Sequence, residues 1–145
     1  MRFFFGYGKL SSMAVSREKY REALFQALFA LDHDPDGEVV PILMQQVKIA
    51  KSAARDVQEK AIEILAKKEE LDNQIETASE SYTLERITQA ERIILRLGVF
   101  EILFDEAVPG PVAISEAIRL TRKFGSRDSA KFVNAVLDKI YGSLS

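Results

Sequence analysis

The only histidine of the chain, His33, lies between Asp32 and Asp34, and an imidazole beside a carboxylate is the pairing that general-base catalysis uses. Pro35, Asp36 and Gly37 follow at once, so the local sequence reads as a solvated turn. The chain has no cysteine. That removes a thiol nucleophile, a disulfide framework and a cysteine zinc site, and one histidine cannot form a histidine metal cluster. No serine nucleophile elbow, phosphate-binding glycine-rich loop or dinucleotide fingerprint occurs; Gly6-Tyr7-Gly8 lacks the third glycine and the strand-turn-helix setting. The many carboxylates fall in Lys- and Glu-rich helical patterns, where they serve as solvated faces or i, i+4 partners. No enzymatic activity and no cofactor are expected.

Cations carry the stronger signal. Arg17, Lys19 and Arg21 crowd the first turns of a helix, where positive charge opposes the helix dipole, which points to a role outside the helix such as holding phosphates. Further on, Arg119, Arg122, Lys123, Arg127 and Lys131 stand against Asp128 alone, a local +4 over thirteen residues. Phe132 follows Lys131 directly and Arg127 by about one turn. An aromatic among cations suits a stacked nucleobase with phosphates alongside, as in single-stranded RNA recognition. A core contact fits equally well, because Phe132 falls at the border of the face set by Val133, Val136, Leu137 and Ile140. Asn134 either hydrogen-bonds a base edge or points to water.

These residues sit on a helical framework. The chain has 145 residues, the size of one domain, with 47% hydrophobic and 29% charged residues and only 4 Pro and 7 Gly, a composition that favours a soluble, helical, intracellular protein. Its net charge of −2 is a poor advertisement for nucleic-acid binding, but the acid is concentrated at 32–84, leaving +3 before and +1 after it. Residues 1–13 read as a flexible leader or vector remnant, and 14–145 as the folded domain. From an N-cap at Ser16, Tyr20, Ala23, Leu24, Ala27, Leu28 and Leu31 follow one helix face, with Phe25 and Phe29 as a second stripe. Pro41 opens a short helix ending near Ala50. Ala54 to Ile75 forms a long amphipathic stretch, with a break at Ser79-Glu80-Ser81. Thr88 to Glu91 is a capping box before a helix that is apolar almost all round. Another helix runs through Ile114 and Phe124 to a C-cap at Gly125, and the last begins near Asp128 with Val133, Val136, Leu137, Ile140 and Tyr141 inside. Six or seven helices with short connections make an all-α bundle, and no apolar run approaches the roughly 20 residues a membrane span needs.

From Glu91 to Lys139 the chain reads Glu-Arg-Ile-Ile-Leu-Arg-Leu-Gly-Val-Phe-Glu-Ile-Leu, then Val-Pro-Gly-Pro-Val-Ala-Ile-Ser-Glu-Ala-Ile-Arg-Leu-Thr-Arg-Lys-Phe-Gly, then Asp-Ser-Ala-Lys-Phe-Val-Asn-Ala-Val-Leu-Asp-Lys. This strongly resembles the bacterial NusB family of transcription antitermination factors. Arg21-Glu22 and Gln26-Ala27-Leu28-Phe29 resemble the family's pattern in the first helix, and the likeness covers roughly residues 16 to 141. The resemblance implies a two-lobed fold of three N-terminal and four C-terminal helices. It further implies a cytoplasmic factor that, with a small-subunit ribosomal protein, binds single-stranded boxA RNA of chiefly ribosomal transcripts and helps RNA polymerase pass terminators. Carried over by position, Arg17, Lys19, Arg21, Arg127, Lys131, Phe132 and Asn134 form the implied RNA-binding set, and Glu91, Arg92 and Asp128 the implied protein-partner set. Two departures stand out: the family's run of adjacent arginines is thinned to Arg17, Lys19 and Arg21, and the Gly that often follows Phe-Val-Asn is Ala135. Related domains precede RNA cytosine methyltransferases, but 145 residues leave no room for a cofactor-binding domain, so methyl transfer is not expected. The alternative is a helical scaffold that binds only proteins.

Overall fold

Ser16 starts the first helix as its spacing predicts: its Oγ accepts a hydrogen bond from the Lys19 backbone N–H at 3.1 Å. The computed structural model describes residues 15–79 and 87–144; the expected leader and most of the break at Ser79-Glu80-Ser81 lie outside them. Among the described residues there are seven α-helices and no strand: α1 (Arg17–His33), α2 (Val40–Gln46), α3 (Lys51–Leu65), α4 (Lys68–Ser79), α5 (Gln89–Phe104), α6 (Gly110–Phe124) and α7 (Arg127–Gly142). The chain divides into two compact units at Ala66 and Lys67, with α1 to α3 in the first and α4 to α7 in the second.

In the first unit, α1 buries Tyr20, Ala23, Leu24, Ala27, Leu28 and Leu31 and packs on α3, which also carries α2. Phe25 is buried and Phe29 half-buried, with ring centroids 5.8 Å apart. His33 is the last residue of α1, exposed, with its ring centroid 5.5 Å from that of Phe29 in an edge-on arrangement. The short second helix ends at Gln46 rather than near Ala50, because Lys48 adopts a left-handed conformation with φ 60°. That conformation is costly for a residue with a Cβ and terminates a right-handed helix.

The stretch from Ala54 to Ile75 is two helices, not one. The division falls at Ala66 and Lys67, without Gly or Pro. Val57, Ala61, Ile64, Leu71 and Ile75 are all buried at spacings that an unbroken helix would share, so the hydrophobic period runs straight through the boundary.

In the second unit, α5 is the central element: every residue from Ile93 to Glu101 is buried, and α4, α6 and α7 pack around it. The capping box forms as expected, Thr88 Oγ1 accepting from the Glu91 N–H at 3.2 Å and Glu91 Oε1 from the Thr88 N–H at 2.9 Å. At Gly98 a Cβ would stand 2.8 Å from Leu137 Cδ1, so glycine is what lets α7 approach α5 closely. Tyr141, expected inside, is 42% exposed. Its ring instead lies against Gly110, where a Cβ would collide with it. Helix α6 does stop at Gly125, but not through a left-handed glycine: φ is −125°. The Gly125 N–H donates to Thr121 O at 2.7 Å, and a Cβ there would stand 2.9 Å from that oxygen. Among the described residues no helix is long and apolar enough to cross a membrane.

Candidate nucleic-acid interface

Ser126 caps α7, its Oγ accepting from the Ser129 N–H at 3.1 Å, and so fixes the start of a helix that packs along α6. Between the two helices runs a groove of about 460 Å³ lined by Ile118, Arg122, Arg127, Ala130, Lys131 and Asn134. Helical spacing explains the set. Positions 127, 130, 131 and 134 form one stripe of α7, and 118 and 122 stand one turn apart on α6. Arg122, Arg127 and Lys131 are exposed, Asn134 is half-buried, and Ala130 is buried in the floor.

The rest of the basic cluster is already occupied. Arg119 Nη2 meets Glu116 Oε1 at 3.0 Å and its Nε meets the same oxygen at 3.2 Å. Lys123 Nζ sits 5.8 Å from the Phe124 ring centroid. In contrast, none of the Arg122, Arg127, Lys131 and Asn134 side chains has an ion pair or hydrogen bond among the described residues. Three uncompensated cations around one concave surface raise its positive potential despite the net negative chain. Asp128 is exposed in the first turn of α7 and does not line the groove.

The structure separates residues that the sequence places together. Phe132 is half-buried and does not line the groove. At about 100° per residue it lies roughly 140° around α7 from the Arg127, Lys131 and Asn134 stripe. Cations and ring are neighbours in sequence but lie on different sides of α7. Arg21 is a second correction. It is 2% exposed, since it shares the buried stripe of Leu24, Leu28 and Leu31, and it is not available to an outside phosphate. Arg17 and Lys19 are exposed on the first unit.

In the expected protein-partner set, Glu91 uses its carboxylate in the capping box, and Arg92 Nη1 donates to Ile87 O at 3.4 Å. Both therefore shape the beginning of α5. Ile118 and Arg122 are absent from the sequence-derived site, although their i, i+4 spacing just before Gly125 carried the signal.

Below the surface of this unit, Glu101 is 1% exposed. Burial first, then the charges of Asp105 and Glu116, pushes its carboxyl well above the ordinary carboxylate range. No group of His, Asp and Glu that would hold a metal occurs among the described residues.

Helices throughout, with unpaired cations gathered at one groove, define an all-helical protein with an anion-receptive face. The model of the NusB family matches residues 18–142, and the chain belongs to that family. It is 33% identical over 135 residues to the transcription antitermination protein NusB of Desulfitobacterium hafniense, covering 90% of this chain and 91% of that one. Among solved structures, T. maritima NusB superposes with a TM-score of 0.75 at 32% identity, over 88% of this chain and 92% of that one. A structure of antitermination factors NusB and NusE in complex with dsRNA also gives a TM-score of 0.75, at 26% identity, over 88% and 96% of the two chains.

Proposed function

We propose that this chain is an RNA-binding transcription antitermination factor. With a small-subunit ribosomal protein it binds the boxA element of nascent, chiefly ribosomal, RNA and promotes read-through by RNA polymerase; it catalyses no reaction itself. The observation that carries this reading is the α6–α7 groove, with Arg122, Arg127 and Lys131 left without partners around it. Family membership supports it, and the related complex of NusB and NusE, which holds double-stranded RNA, supports the coarser reading that the family binds RNA. In this reading Arg17 and Lys19 add phosphate contacts, Phe132 offers a stacking surface on another face of α7, and Glu91, Arg92 and Asp128 meet the ribosomal protein. The net charge of −2 holds unassisted RNA affinity down, and the protein partner raises it. Because coupling is reciprocal, RNA raises affinity for that partner by the same factor.

The test is the salt dependence of boxA-like RNA binding. Each phosphate contact to a single strand contributes about 0.7 to the logarithmic salt slope. Replacing Arg122, Arg127 and Lys131 together by Ala therefore flattens the slope by about two units. An unchanged slope overturns the assignment of the groove to RNA. Equal RNA affinity with and without saturating ribosomal protein overturns the cooperative part.

A further inference from the structure

The first unit carries an apolar surface that has no part in the RNA contacts. Helix α2 reads Val-Pro-Ile-Leu-Met-Gln-Gln, without a charge, and a helix apolar over most of its circumference belongs in an interior. Only Leu43 of α2 is buried. Ile42 is 37% exposed and Met44 40%, with Pro41 exposed and Val40 half-buried beside them, and contiguous apolar surface of this kind marks an interaction site. A tight turn leads into the helix. The Gly37 N–H donates to Asp34 O at 2.9 Å, and the Asp34 carboxylate lies so close to Gly37 that a Cβ there would stand 2.8 Å from Oδ2. Asp34, Asp36 and Glu38 are exposed, and none of their side chains has an ion pair or hydrogen bond among the described residues. From Asp34 to Val47 the chain has no Lys or Arg. The N-terminal end of the apolar helix is thus rimmed by uncompensated negative charge.

We infer that α2 docks a further protein of the transcription complex, through an apolar segment of that protein flanked by Lys or Arg. This rests on the proposed antitermination function and adds to it a second protein-binding surface, in the first unit, whereas Glu91, Arg92 and Asp128 belong to the second. Charge selects among the occupants. The carboxylates of Asp34, Asp36 and Glu38 repel RNA phosphates and anionic lipid headgroups alike, whereas proteins assembled around nucleic acid carry surplus Lys and Arg. Contact with Ile42 and Met44 supplies affinity, because the core of an interface is apolar and enriched in Met. The acidic rim supplies steering and orientation.

The experiment measures binding of the full chain, loaded with boxA-like RNA and the ribosomal protein, to RNA polymerase halted on a template, and read-through of a terminator in the same mixture. Ile42→Ser with Met44→Ser is expected to raise the rate of dissociation from polymerase about ten-fold and to cut read-through, with the affinities for RNA and for the ribosomal protein and the thermal midpoint unchanged. Asp34→Asn, Asp36→Asn and Glu38→Gln together are expected instead to slow association about ten-fold at low salt and to leave dissociation nearly as it was. These three residues are exposed, so this variant provides the readout if Ile42→Ser with Met44→Ser does not fold. Parent rates in both variants overturn the inference. So does a loss of affinity for RNA or for the ribosomal protein in either variant, which would assign α2 to those contacts, or conversion of a dimer to a monomer, which would assign it to a second copy of this chain. If the unaltered protein still binds RNA with the ribosomal protein and supports read-through in those cases, the proposed function stands without a further protein at α2. Neither RNA binding nor read-through by the unaltered protein overturns both.

Discussion

Arg96 of α5 and Asp72 of α4 form a two-point ion pair, Nε to Oδ1 at 2.7 Å and Nη2 to Oδ2 at 3.0 Å. The side chains are only 5% and 18% exposed. A planar guanidinium meeting a carboxylate in this way fixes the rotation of one helix against the other. Removing the acid alone leaves a buried positive charge with its bidentate partner gone. Asp72→Ala is therefore expected to cost about 3 kcal/mol of stability, read as a lower urea midpoint at unchanged slope. The double variant Asp72→Leu with Arg96→Met is expected to recover most of that loss. A loss below about 0.5 kcal/mol, the size of an exposed pair's contribution, would show that the pair is not structural.

Glu101 gives a pH dependence with a definite sign. Its folded-state pKa is raised by burial and by Asp105 and Glu116, so the native state keeps a proton that the unfolded chain releases near pH 4.3. The contribution is fully present below that value and is lost as pH rises through the folded-state pKa. Glu101→Gln is neutral at every pH. Urea midpoints measured from pH 4 to pH 8 should show the variant gaining on the parent protein as pH rises; parallel profiles would contradict the assignment.

Within the N-terminal cations the structure predicts a split. Arg21 is buried with the core stripe of α1, so Arg21→Ala is expected to lower stability by more than about 1 kcal/mol and leave the salt slope of RNA binding unchanged. Arg17→Ala with Lys19→Ala removes exposed charge. Stability should move by no more than about 0.5 kcal/mol while the slope flattens. Thermal denaturation and RNA titration of the two proteins decide the point, and identical behaviour would sink the distinction.

Phe132→Ala is expected to cost about 1 to 3 kcal/mol of RNA affinity through a lost stacking surface. The salt slope should stay as it was, because no cation is removed. Half-burial sets the stability cost below the roughly 3 to 5 kcal/mol typical of a fully buried Phe. Unchanged affinity in the folded variant would make Phe132 a packing residue.

Local chemistry was legible in the linear sequence. Ser16 and Thr88 mark helix starts because a side-chain oxygen satisfies an orphan N–H three residues on, and both partners lie within one turn of chain. The buried faces of α1, α5 and α7 follow from period alone. The cationic character of the last two helices was also plain, since it is a count of charges over a short window. The break at Ala66 was not legible, because its buried stripe continues at helical spacing on both sides, nor was the turn at Lys48, where a residue with a Cβ stands in a conformation usually left to glycine.

Tertiary structure decided everything that depends on which side of a helix meets which neighbour. Sequence proximity put Phe132 with Arg127 and Lys131, whereas rotation along α7 turns the ring away and brings the two cations to Arg122 of α6 instead. Arg21 looks like one of three equivalent charges until packing buries it and leaves the other two exposed. Arg96 and Asp72 lie twenty-four residues apart, and only the packing of α5 against α4 joins them. A side chain's type and spacing determine what it can do and which side of its helix it shares, but whether that side meets water, a partner or a groove is set by contacts between elements distant in sequence.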